Sequence, residues 1–206
     1  MTAGAGATAR ARPGERRVLE PEHLDARGDG VARDGDLELR VPGLFIGERG
    51  RVELTHVSRH HPRAFARLVG DDALARPHPQ RRAPPCPRQR ECAGCPLMPL
   101  EVAAQRAQKR DTLRRRFGWS IEQVEPAPAP LGYRWSSKRV VFGAPGDARL
   151  GSYARGSHAP VDMDGCLVDH PLITACAREL AELARRVGVA PYDERARAGD
   201  LRYVWF

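Results

Sequence analysis

The chain has 206 residues, a formal net charge of +8 and a sequence pI near 9.8, with 41% apolar and 29% charged residues. That length can bury a core without disulfide staples, and no apolar run approaches the roughly 20 residues of a membrane span. Five cysteines, odd in number and unevenly clustered, do not make a secreted disulfide framework, and no apolar leader core follows the start, so a cytoplasmic protein is expected.

The excess positive charge points to an anionic partner. Lys109 and Lys138 are the only lysines, which leaves arginine to carry nearly all of it. Arginine's planar fork grips phosphate and stacks on exposed bases, as RNA binding requires. A GC-rich coding bias accounts for the choice of Arg over Lys, but not for the sign of the net charge.

Residues 1–15 are Ala/Gly/Thr/Arg-rich without apolar periodicity and are read as a disordered tail. Residues 16–70 carry the punctuation of a small all-β unit, with short apolar segments separated by Asp29-Gly30, Asp34-Gly35, Pro42-Gly43 and Gly47 to Gly50. Asp34-Gly35 is a hairpin signal, and Leu37, Leu39 and Val41 alternate with Glu38 and Arg40. Five short strands predict a closed or nearly closed barrel of the oligonucleotide-binding kind.

Residues 71–99 read as a linker and a cysteine loop. Residues 100–206 read as a central α+β domain, incomplete at its C-terminal end. It opens on a helix over Leu100 to Phe117, with Leu100, Ala103, Ala107, Leu113 and Phe117 on one face. An antiparallel meander follows: Trp135 to Phe142, Leu150 to Tyr153 and Pro160 to Met163. A second helix, Pro171 to Val187, has Ile173, Ala177, Leu180, Ala184 and Val187 at helical spacing, with Cys176 beside that stripe as a packing residue. The last segment, Leu201 to Phe206, reads as a strand that either lacks a partner or continues into further chain; the second is expected. The fold class is therefore α+β, an N-terminal barrel followed by an antiparallel sheet with helices.

The chemistry-bearing feature is Cys86, Cys92 and Cys95, spaced C-x5-C-x2-C in a Pro/Arg-rich loop, with Cys166 far downstream in a turn between strand and helix. Thiolates select zinc, copper(I) or iron–sulfur clusters. Structural zinc is usually held by two short-spaced pairs, and the second pair is missing here, whereas a cluster spreads its ligands around a larger object. Iron–sulfur, zinc and no metal at all remain open from spacing alone. His158, Asp162 and Asp164 near the fourth thiol read as turn formers and as supporting partners of the thiols.

The motifs together resemble the N-terminal part of the S-adenosylmethionine-dependent RNA uracil-5-methyltransferases. They are Gly28-Asp29-Gly30-Val31-Ala32-Arg33, Val41-Pro42-Gly43 with Gly47-Glu48, Pro85-Cys86-Pro87 to Cys92-Ala93-Gly94-Cys95, Gly132-Tyr133-Arg134, Leu150-Gly151-Ser152-Tyr153, Gly156-Ser157-His158, Val161-Asp162 and Cys166. The resemblance runs in order from about Arg16 to Phe206. It implies a TRAM barrel, then a central domain in which Cys86, Cys92, Cys95 and Cys166 hold a 4Fe-4S cluster, and RNA (rRNA or tRNA) as substrate. In that family the methyl-donor motif, the nucleophilic cysteine and the carboxylate base lie in a C-terminal Rossmann-like domain. No G-x-G-x-x-G motif occurs here, so no residue is assigned as nucleophile, base or S-adenosylmethionine contact.

The expected role is thus the RNA-binding and iron–sulfur portion of such an enzyme, inactive alone, with Arg134, Lys138 and Arg139 as RNA contacts. The alternatives are a stand-alone RNA-binding module with a four-thiolate metal centre and a zinc-stapled structural protein.

Overall fold

The computed structural model describes residues 11–206, an α+β chain that clusters into two compact units. The first comprises the residues up to Ala83 together with Pro96–Val124; the second comprises Pro84–Cys95 together with Glu125–Phe206. Of the expected disordered tail, residues 1–10 lie outside the described part. Gly14 N–H donates to Leu54 O at 2.7 Å and Leu54 N–H donates to Glu15 O at 2.9 Å, so backbone pairing begins before Arg16.

The first unit contains β1 (Arg16–Leu19), β2 (His23–Leu24), β3 (Gly30–Asp34), β4 (Leu37–Val41), β5 (Arg49–Val57), β6 (Arg63–Leu68), β7 (Leu74–Arg76) and α1 (Val102–Phe117). The sheet order is β1-β5-β6-β4-β3-β2, with β7 added to β5, and every ladder is antiparallel except β4 with β6. Among the described residues no ladder joins β1 to β2, so the sheet is an open half-barrel of seven strands, where a closed or nearly closed barrel of five is expected from the sequence. The two strands that periodicity misses, β2 and β7, are too short to show alternation.

Where alternation is present it is obeyed. Leu39 and Val41, Val52 and Leu54, and Ala64 and Ala66 turn inward to one cluster while the residues between them face outward. Asp34 pairs with Leu37 across the Gly35-Asp36 turn, and Gly35 has φ 58°, the left-handed value a two-residue hairpin turn demands at its first position. Gly30 is needed for a different reason: a Cβ there would sit 2.2 Å from Leu44 O, so backbone replaces side chain at that crossing.

The second unit contains β8 (Lys138–Phe142), β9 (Arg149–Tyr153), β10 (Pro160–Asp162), α2 (Pro171–Arg186) and β11 (Tyr203–Trp205). Its sheet is antiparallel throughout, in the order β10-β9-β8-β11. The terminal strand therefore has a partner, contrary to the alternative of an unpaired strand: Tyr203, Val204 and Trp205 pair with Val140, Arg139 and Lys138. Ile173 and Ala184 of α2 are buried and Ala177 and Leu180 partly so, as the helical spacing predicts, with Ala181 buried beside them; Val187, expected on the same stripe, is 63% exposed. Pro171 occupies the first turn, and His170 Nδ1 caps the helix by accepting from Leu172 N–H at 3.3 Å. Cys176 is exposed on α2, not packed beside its apolar stripe.

The placement of α1 corrects both its expected face and its expected domain. Its buried residues are Ala104 and Gln108, one position round from the predicted Ala103 and Ala107, and Phe117 is half exposed. Leu100 and Ala104 cluster with Leu24, Phe45 and Leu97, all in the half-barrel unit. A polar clamp completes the docking: Gln108 accepts from Ile46 N–H (3.0 Å) and donates to Ile46 O (2.9 Å). Because the anchor is an amide and not an apolar stripe, hydrophobic periodicity cannot locate this face.

The approach to α1 is fixed by a buried carboxylate. Glu48 is fully buried and accepts from Phe45 N–H (2.9 Å), His78 N–H (3.0 Å) and two guanidinium nitrogens of Arg81 (2.7 and 2.8 Å). Arg81 also donates to Gly43 O at 2.6 Å and lies over the Phe45 ring, which joins the β4–β5 turn to residues 78–81. Removing one partner of a buried pair leaves the other charge uncompensated, which costs about 3–5 kcal/mol. Arg81→Ala is therefore expected to lower the stability of the first unit by that amount, read as a fall in the urea midpoint at unchanged slope.

Candidate functional site

All four thiols of the proposed ligand set belong to the second unit. Three lie on the turn-rich segment Pro84–Cys95, where proline and successive tight turns exclude regular structure. Cys92 N–H donates to Arg88 O (2.8 Å), Gln89 N–H donates to Cys86 O (3.3 Å), and Gly94 N–H points at Cys92 Sγ (3.3 Å). An isolated bridge pairs Cys92 with Ala154, just beyond β9. The fourth thiol follows β10 in the turn that Cys166 N–H closes on Met163 O (3.1 Å).

The remote cysteine and the triplet act on one another electrostatically. Burial pushes the Cys95 thiol up to about 11, and the negative charge that Cys166, Cys92 and Cys86 would carry adds to the rise, while Arg134 opposes it. The four sulfurs thus share one electrostatic neighbourhood. Arg88 likewise acts on Asp164, whose carboxyl is held below its usual range chiefly by the hydrogen bond from Arg178. Among the described residues, no group of three or more His, Cys, Asp or Glu is arranged to hold a metal ion.

The segment bearing Cys166 is pinned to the sheet from both ends. Gly132 and Arg134 N–H donate to Leu167 and Val168 O at 2.9 Å each, and His170 N–H donates to Arg134 O at 2.9 Å. Arg139, at the middle of the sheet on β8, pairs with Asp169 and approaches Met163 Sδ at 2.8 Å. Its guanidinium also hydrogen-bonds the Cys166 sulfur, and burial draws its pKa below the ordinary arginine value.

The three cations expected to touch RNA therefore have three different places. Arg139 is 2% exposed and committed to Asp169, so its assignment as an RNA contact is corrected: it is an interior anchor of the thiol segment. Arg134 is half-buried beside Cys95. Lys138 is exposed, with Nζ 3.9 Å from the Tyr203 ring centroid and 4.8 Å from that of Trp205. His158, read as a turn former, instead joins a polar cluster. It contacts Glu194 Oε2 through Nδ1 at 2.7 Å and stacks on Tyr153, while Arg202 donates to Glu194 at 2.8 Å.

No protein-family model matches the chain. Its similar curated proteins are named uncharacterized RNA methyltransferases. One from Geobacter sulfurreducens is 32% identical over 188 residues, covering 88% of this chain and 37% of the relative. One from Parasynechococcus marenigrum is 33% identical over 202 residues, covering 94% and 42%. The chain thus spans about two fifths of the length of the curated relatives it matches. Among solved structures it is similar to the Pyrococcus abyssi tRNA (uracil-54, C5)-methyltransferase in complex with S-adenosyl-L-homocysteine. The TM-score is 0.62 at 24% identity, covering 93% of this chain and 42% of that one, a likeness of fold. The α+β chain is thus related in sequence to proteins named RNA methyltransferases and shares its fold with a tRNA methyltransferase. Among the described residues no helix is long and apolar enough to cross a membrane.

Two outcomes test this geometry. Arg139→Ala strips Asp169 of its cation when the other carboxylate oxygen already has no partner, and is expected to cost about 3–5 kcal/mol in chemical unfolding of the second unit. The hydrogen bonds from His158 and Arg202 hold the Glu194 carboxyl down at about 2, below its ordinary 4.5. A depressed folded value means that its contribution is complete above about 4.5 and is lost as pH falls through about 2. Carboxyl-carbon NMR should show Glu194 titrating near the lower value, and Arg202→Ala should move it upward.

Proposed function

We propose that this chain is the RNA-holding and iron–sulfur portion of an S-adenosylmethionine-dependent RNA uridine C5-methyltransferase working in the cytoplasm. The observation that carries the reading is the electrostatic convergence of Cys86, Cys92 and Cys95 with Cys166, from stretches far apart in sequence. The RNA methyltransferase names of its relatives support the reaction class.

The residues fit an iron–sulfur cluster by their donor chemistry. Four soft thiols face one neighbourhood, with Arg134 and Arg139 close enough to offset thiolate charge. A single zinc ion needs its sulfurs within about 2.3 Å. A cluster instead spreads its ligands around a larger inorganic core, which a compact cysteine triplet with one remote cysteine suits. A bound cluster would cross-link the cysteine loop to the Cys166 turn, a structural contribution.

The half-barrel, of the oligonucleotide-binding TRAM kind, and the second unit would hold RNA, with Lys138 and Arg134 contacting it. Methyl transfer to uracil C5 requires a thiolate to activate the ring, a sulfonium donor held in line and a base for the C5 proton. Those groups and the S-adenosylmethionine contacts are assigned to none of the residues of this chain, whose task is positioning the substrate.

Anaerobically purified protein should be brown and contain about four irons with matching acid-labile sulfide per chain. Cys95→Ser should abolish the colour; a colourless, zinc-bearing preparation would overturn the cluster reading. RNA affinity should fall steeply with salt, and Arg134→Ala should weaken it and lower the salt slope by about 1.

A further inference from the structure

We propose that the helix-free face of the four-stranded sheet is a stacking platform for unpaired RNA bases, with Trp205 and Tyr203 as the stacking rings and Lys138 as the cation that follows the adjoining phosphate. The proposal rests on the RNA-binding reading above and adds to it a surface, a mode of contact and a form of RNA.

The two faces of this sheet are unlike. Val141, Leu150, Val204 and Phe206 turn toward the cluster built on α2. Alternation sends their neighbours the other way: Lys138 lies opposite Trp205 and Val140 opposite Tyr203, so these four share the face away from α2. Gly151 pairs with Val140, and Tyr153, two residues on, adds a third ring whose hydroxyl is 3.3 Å from that of Tyr203. Gly151 carries no side chain there, and the Phe142 ring and Val161 backbone take the space a Cβ would need.

Trp205 is 65% exposed on this face. Indole offers a large flat ring of the kind on which a base stacks. Tyr203 meets it edge-on, with centroids 6.0 Å apart at 60°, so the two rings offer differently tilted surfaces. A cation sits on the rings themselves: Lys138 lies over both, while the Arg202 guanidinium, 5.1 Å from the Tyr203 centroid, is paired with Glu194. Aromatic surface interleaved with positive charge matches a nucleic-acid strand, which presents flat bases along a chain of phosphates.

The form of RNA follows from the same geometry. A base inside a duplex has both faces covered, and side chains cannot read the deep major groove, so only unpaired bases can lie on these rings. A cation resting on an exposed ring contributes about two- to fivefold in affinity, whereas a stacked base contributes roughly five- to 150-fold. A base therefore displaces the Lys138 ammonium, and the released side chain is placed to meet the phosphate.

On the half-barrel, by comparison, many of the cations are engaged with carboxylates. Arg16 and Arg67 pair with Glu53, Arg40 and Arg63 with Glu38, and Arg51 with Asp72.

The test uses the full 206-residue chain carrying Trp119→Phe and Trp135→Phe, so that Trp205 alone reports by its emission. A single-stranded oligouridine should quench that emission saturably, whereas duplex RNA of equal length and inorganic polyphosphate should not. Trp205→Ala should weaken oligouridine binding about 10- to 100-fold, Trp205→Phe should restore most of it, and Lys138→Gln should flatten its salt dependence. The quench is read with Trp205 intact, so the test stands even where the alanine variant fails to fold. Oligouridine binding without a quench, or equal quenching by polyphosphate or duplex, overturns the platform while leaving RNA binding standing. Failure of the unsubstituted chain to bind any RNA at low salt overturns both.

Discussion

The second unit is organised around a guanidinium taken out of water. Arg139 sits on β8, between β9 and β11, and is almost fully buried. A buried charge costs several kcal/mol unless it is paired and its donors are used, so its partners are constrained by energy and not only by proximity. Those partners are Asp169, Met163 and Cys166, three residues of one short segment. A single side chain therefore fixes the segment that presents the fourth thiol. The same strand exposes Lys138 one residue earlier, which places the thiol anchor and the cation of the aromatic face on opposite sides of one β-strand.

The first unit solves a related problem with the opposite charge. Glu48 is buried, and its oxygens are satisfied by two backbone N–H groups and the fork of Arg81. That clasp brings residues 78–81 back to the β4–β5 turn, and Arg82 N–H then donates to Pro99 O at 2.8 Å as the chain enters α1. The helix itself is held by the amide of Gln108 on the backbone of Ile46, with a small apolar contact around Phe45 and Leu100. Polar anchors of this kind give a defined orientation without a continuous apolar stripe.

Electrostatics divides the labour in a way that the net charge alone conceals. The arginines of the half-barrel are largely spent on carboxylates of neighbouring strands, contacts that are individually weak but that satisfy the fork of each guanidinium. In the second unit an exposed cation, Lys138, lies on the aromatic face of the sheet.

Local rules made much of the chain legible. Alternation located β3 to β6 and β8 to β10 to within a few residues, Asp34-Gly35 marked its hairpin, and the 3.6-residue spacing of Ile173, Ala177, Leu180 and Ala184 marked the buried side of α2. The thiol spacing singled out Cys86, Cys92, Cys95 and Cys166, because soft side chains in a proline-rich loop are rarely mere packing. What sequence could not supply was decided by contacts between distant residues. Arg139 reads as a surface cation on any linear pattern, and only the arrival of Asp169 from 30 positions away makes it an interior one. The face of α1 and its membership of the first unit depend on Gln108 meeting the Ile46 backbone, a hydrogen bond that leaves no trace in hydrophobic periodicity. Periodicity records which side of an element avoids water; the identity of the element that covers it, and of the charge that neutralises a buried one, exists only once the chain has folded.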